Sequence, residues 1–229
     1  MDYKHINVQK LARCYAEWHS IICQKQSGEG NVVSLKSGFS FSQEGYKYHI
    51  LEQAAQIIDK IDWSDPNIIG SGKLIRMAMD LLGVRGFDNA QQNLVDYHDV
   101  VYFADQAFST KCKDIEKALY LLYAENKYME AFNLLSHLLK QKYALITYFF
   151  FLKDSNNFQV VRPKNHAVRF AMIDAPVHSA TNCTWENYQL YLAVLCEVKN
   201  YLATQTSDKL TLTDTHSFIW MFWMLKSFK

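Results

Sequence analysis

Apolar positions recur at helical spacing over most of this chain. Residues 8, 11, 12, 15, 18, 22 and 23 lie three and four apart and predict a helix from Val8 to Cys23. The run Ser27-Gly28-Glu29-Gly30-Asn31 ends it. Tyr46–Ile61 repeats the pattern, with Ile50, Leu51, Ala54, Ile57, Ile58 and Ile61 on one face. A further helix is expected from Ser71, as its N-cap, to Leu82, with Gly83 where a C-terminal glycine belongs. Between the first two helices, Asn31–Phe41 (NVVSLKSGFSF) is β-branched and aromatic with partial alternation, which predicts a short strand or β-hairpin near residues 31–42. Asp62–Gly70 reads as a turn-rich connector, and Asp88–Phe108 as a mixture of helix and loop.

The second half is more strongly patterned. ALYLLYAENKYMEAFNLLSHLL predicts a helical hairpin turning near Asn126, and no second copy at a fixed period supports a helical repeat. Thr184 is a suitable N-cap for a helix from Trp185 to Leu202. A last helix, capped by Thr213 or Asp214, carries Phe218, Ile219, Trp220, Phe222, Trp223 and Leu225. It is apolar nearly all round, so it must be buried or meet a partner. The expected fold is mainly α: a multi-helix globular domain, with an N-terminal part over 1–90 and a C-terminal part over 91–229 that can form one continuous unit.

Composition agrees. Only 3 Pro and 8 Gly among 229 residues are too few for a disordered tail or for the turns of a β-sandwich. The net charge of +1 provides no global field toward nucleic acid or membrane. Five cysteines, none in C-x-x-C spacing, read as reduced thiols of a cytoplasmic protein. The N-terminus lacks the apolar core of a signal peptide, and the longest apolar runs are short of a membrane span.

Several short motifs suggest chemistry, and most have a plainer reading. Gly70-Ser71-Gly72-Lys73 looks like a phosphate loop, but Asn67 and Leu74 stand where that motif needs a glycine and a hydroxyl residue. Asp174 with Glu197-Val198-Lys199 matches the bare carboxylate and E-x-K set of a metal-dependent nuclease, which requires a strand at Val194–Lys199. The segment reads instead as helix. Asp214-Thr215-His216-Ser217 holds the residue types of a hydrolytic triad, but neighbours on one helix start point in different directions, so capping and packing are expected. Asp96-Tyr97-His98-Asp99 reads as a solvated turn. No motif calls for a cofactor. The basic stretch Arg162-Pro163-Lys164-Asn165-His166, with Arg169 after it and Phe158 and Phe170 flanking it, suits phosphate contacts with some stacking. Arg162, Lys164, Asn165 and Arg169 are therefore the expected nucleic-acid contacts.

YALITYFFFLKD (143–154), Arg162-Pro163, CTWENY (183–188) and DTHSFIW (214–220), in that order, resemble an uncharacterised helical region of bacterial restriction-type and phage-defence proteins. In such proteins a similar block lies beside a nuclease of the HNH kind or accompanies McrB-like ATPases. The resemblance covers residues 93–223. The chain ends nine residues beyond Trp220, so the resemblance implies a recognition or adaptor part, with catalysis elsewhere or absent. Three readings follow. The first is a non-enzymatic module binding DNA or a partner protein. The second is a nuclease using Asp174, Glu197 and Lys199. The third is a homo-oligomeric adaptor with Phe218–Leu225 as its interface.

Overall fold

A computed structural model describes residues 6–25, 34–84, 94–162, 168–177 and 182–226, with side chains as far as Phe222. The helices are α1 (Val8–Lys25), α2 (Gly38–Glu44), α3 (Tyr46–Ile58), α4 (Lys73–Gly83), α5 (Tyr97–Ala107), α6 (Cys112–Tyr123), α7 (Tyr128–Leu138), α8 (Tyr143–Lys153), α9 (Trp185–Ala203) and α10 (Leu212–Lys226). A 3-10 turn, Pro66–Ile68, precedes α4, and a helical turn runs through 168–171. No strand occurs among the described residues, so the protein is mainly α as expected.

The hairpin expected near 31–42 is corrected. Gly38 to Glu44 is helical, and residues 31–33 lie outside the described residues. Alternation misled because α2 is only seven residues long, too short to separate period 2 from period 3.6; within it Phe39 packs on the core and Ser40 is buried. Gly45, in the right-handed helical region with its N–H donating to the Phe41 carbonyl, is the single residue that joins α2 to α3. A Cβ there would stand 2.6 Å from the Phe41 carbonyl oxygen, so the tight junction demands glycine.

Two helices form the centre. In α8 every residue from Tyr143 to Leu152 is buried, because α3, α6 and α7 pack around it. α10 is buried from Leu212 to Ile219 and at Met221 and Phe222, packed against α1 and α9. Phe218 meets Trp18 of α1 edge-on at 5.4 Å between ring centroids. Residues of α1, α3 and α4 share one core cluster with those of α6 to α10, so 1–90 and 91–229 are not separate units. The helical hairpin is α6 and α7, with Asn126 at φ 54 in the turn. Asp88–Phe108, expected as helix mixed with loop, contains the regular helix α5. No helix among the described residues is long and apolar enough to cross a membrane.

Candidate functional site

The basic stretch leaves the core through an extended, buried strap. Phe158, Gln159, Val160 and Val161 run between α8 and α9 with no strand beside them. Buried backbone groups need partners, and side-chain hydroxyls supply them here. Tyr188 Oη accepts from the Gln159 N–H at 3.2 Å and donates to the Gln159 carbonyl at 2.9 Å. Tyr191 Oη donates to the Val160 carbonyl at 3.0 Å, and Thr147 Oγ1 accepts from the Val161 N–H at 2.9 Å. The Gln159 amide donates to Thr213 Oγ1 at 2.9 Å and so ties the strap to α10. The motif tyrosines of α9 thus hold the strap that delivers Arg162 to the surface. Thr184 caps α9 as expected, accepting from the Asn187 N–H at 3.3 Å.

Of the four expected nucleic-acid contacts, two are described and they part company. Arg162 reaches the surface and pairs with Asp96 at 2.8 Å. Arg169 is buried at 3 % exposure, with its guanidinium 3.9 Å above the Trp220 ring. Burial pushes its pKa down to about 10, with Tyr191 and Glu44 opposing and Arg162 reinforcing the shift. Arg169 is therefore a core cation and not a phosphate contact, because Trp220 and the neighbouring helices exclude solvent from it. Lys164 and Asn165 lie outside the described residues.

The DTHS motif is also internal. Asp214 completes a capping box: its Oδ2 accepts from the Thr211 N–H at 2.7 Å and from Thr211 Oγ1 at 2.8 Å, while Thr211 Oγ1 accepts from the Asp214 N–H. Its other oxygen accepts from Tyr48 Oη at 2.5 Å, and the Asp214 carboxylate and burial together hold the Tyr48 phenol well above its usual range, with burial the larger cause. One turn on, Lys47 Nζ lies 2.8 Å from His216 Nδ1, 3.0 Å from Ser217 Oγ and 2.5 Å from Glu44 Oε2. Burial lowers the Lys47 pKa and Glu44 works against that shift. Lys47, Glu44, His216 and Ser217 are each no more than 6 % exposed. The motif joins α10 to α2 and α3.

The nuclease geometry does not form. Val194–Lys199 is helix within α9, and Glu197 and Lys199, two apart, project from different sides of it. Asp174 instead accepts from Lys10 Nζ at 2.6 Å and Asn7 Nδ2 at 3.1 Å. No cluster of three metal-ligating side chains occurs among the described residues. The expected turn at Asp96–Asp99 is the start of α5, where Asp99 pairs with Lys142 at 2.8 Å. Of the oligomer interface expected on Phe218–Leu225, Phe218, Ile219, Met221 and Phe222 are buried in the chain's own core, and the side chains of 223–225 lie outside the described residues.

The look-alike phosphate loop does cradle an anion, one from inside the protein. The buried Glu116 carboxylate of α6 accepts from the Gly70 N–H at 2.6 Å and from the Leu74 and Ile75 N–H groups at 3.0 and 3.4 Å. Gly72, at φ 77, takes the N-cap position expected of Ser71. Beside this loop, α3 and α4 enclose a cleft of about 270 Å³ lined by Lys60, Lys73, Arg76 and Asp80 over Ile57, Ile61 and Met77. Lys60, Lys73, Arg76 and Asp80 are exposed. The sequence shows these cations only as scattered residues, 13 and 3 apart, because the α3–α4 packing is what joins them.

Comparison of the chain with protein-family models, with curated proteins and with solved structures finds no match.

Proposed function

We propose that this protein is a recognition or adaptor domain, not a catalyst, and that it binds nucleic acid through phosphate contacts along the α3–α4 cleft. The observation that carries the reading is the cleft itself: Lys60, Lys73 and Arg76 project around one opening, with Asp80 the one carboxylate among its lining residues. Asp214 and His216 of the triad look-alike serve as cap and tie inside the core, Glu116 fills the phosphate-loop look-alike, and Asp174 is paired with Lys10. Arg162, near Tyr46 at the start of α3 and held by Asp96, is a second candidate cation. The resemblance of 93–223 to helical regions of restriction and phage-defence proteins suggests the setting, in which such a domain directs a catalytic partner.

The test is binding of a labelled duplex followed by anisotropy across a salt series. The triple variant Lys60→Glu, Lys73→Glu, Arg76→Glu should weaken binding and flatten the salt slope by about three, close to one per lost phosphate contact. Arg162→Glu should remove about one. Arg169→Glu tests the core and not the surface. A triple variant that binds as tightly as the parent sinks the assignment.

A further inference from the structure

Helix α5 carries two apolar faces, and one of them faces outward. Phe103 and Ala107 point into the core and are fully buried. Tyr97, Val101 and Phe108 are 64 %, 41 % and 75 % exposed, and Ala104 sits among them, half-buried. Their spacing is four, three, four. On a helix this puts all four residues within one narrow stripe, the d-a-d-a order of a coiled-coil seam. Large apolar side chains at successive seam positions of one helix differ from the scattered exposed residues of an ordinary surface.

The charges beside the stripe say what covers it. His98 and Asp105, both exposed, follow Tyr97 and Ala104 directly and stand seven apart on one flank. When two copies of α5 run antiparallel about a twofold axis, Tyr97 of one meets Phe108 of the other and Val101 meets Ala104. His98 then stands opposite Asp105 of the second copy, and the reciprocal pair forms by symmetry. A parallel pairing would instead set these residues against Val100 and Ala107 of the second copy, neither of which offers a polar partner. On the side of α5 away from the stripe, Asp99 is held by Lys142 within the chain, and the Lys142 ammonium lies 5.3 Å from the Tyr102 ring centroid. That side is engaged inside the chain.

We propose that the exposed face of α5 is a self-association surface, on which a second copy of this chain packs antiparallel through Tyr97, Val101, Ala104 and Phe108 with His98–Asp105 pairs across the seam. Three helical turns bury less than the ~1,200 Å² at the lower end of stable complexes, so the dimer is concentration-dependent. It does not depend on what the α3–α4 cleft binds.

Sedimentation of the full chain over a micromolar concentration series tests this. The parent should shift from monomer toward dimer. Val101→Glu, at an exposed position, should keep the parent's circular dichroism and raise the dissociation constant about 10-fold or more. Asp105→Lys should weaken the dimer, and adding His98→Glu should recover it by reversing both pairs. A parent that stays monomeric throughout, or a dimer indifferent to Val101→Glu, overturns the proposal. A double reversal that fails to recover association overturns the antiparallel register.

Discussion

α10 and α5 are both rich in large apolar residues, and the structure treats them oppositely. α10 has no polar face, and its polar residues Asp214, His216 and Ser217 are turned inward to serve as cap and ties. α5 has a polar edge and two apolar stripes, of which the core takes one. The pattern alone left α10 either buried or facing a partner and took the α5 region as a mixture of helix and loop. How apolar a helix is does not decide whether it meets a partner. What decides is how much of its circumference the rest of the chain covers: α1 and α9 close around α10, while α4 and α6 reach only the inner side of α5.

The largest test of this contrast removes one ring from each helix. Phe218→Ala should cost about 3–5 kcal/mol, because its ring is fully enclosed beside Trp18 and the cavity cannot collapse. Phe108→Ser, the exposed counterpart, should stay within about 0.5 kcal/mol in the same denaturant titration. Equal losses in dilute, monomeric protein would mean that the chain itself covers the outer face of α5.

A smaller effect probes how the core carries the basic segment outward. Tyr188→Phe strips one hydroxyl and leaves both the N–H and the carbonyl of Gln159 without that partner inside the protein, a loss of about 1–3 kcal/mol. The same substitution at the exposed Tyr97 should leave stability unchanged. If Tyr188→Phe were neutral, the strap would not depend on the α9 tyrosines.

The smallest effect concerns the acid limb. The hydrogen bond from Lys10 holds the Asp174 carboxyl below its ordinary range, with Asn7 adding to it. A depressed folded pKa gives stability that is present above the unfolded carboxylate value of about 3.9 and is lost as the pH falls through the folded one. Asp174→Asn should therefore lower the midpoint temperature slightly near neutral pH and flatten its fall below about pH 4, so that parent and variant converge in acid. An unchanged acid limb would show that this surface pair contributes nothing there.

Much of the helical framework was legible along the chain. The stripe at Ile50, Ala54 and Ile57, the turn at Asn126 and the Thr184 cap each depend on contacts within a few residues, so local spacing announces them. The α2 segment was misread because seven residues are too few to separate period 2 from period 3.6. The basic stretch was legible as charge but not as surface. Arg162 and Arg169 differ only in that a Trp from α10 covers the second.

What the amino-acid sequence by itself determined was that most segments are helices and where some of them start, as at Thr184, because caps, glycines and apolar periods act over one or two turns; α2 and the starts at Gly72 and Leu212 it did not place. Which charges are sites was decided by the tertiary structure alone. Glu116 fills the Gly70–Ile75 nest from 41 to 46 residues away, and Lys47 meets His216 across 169. Lys60 joins Lys73 and Arg76 only where α3 lies on α4. Exposure and partnership are properties of neighbours brought together by the fold, and no local pattern contains them.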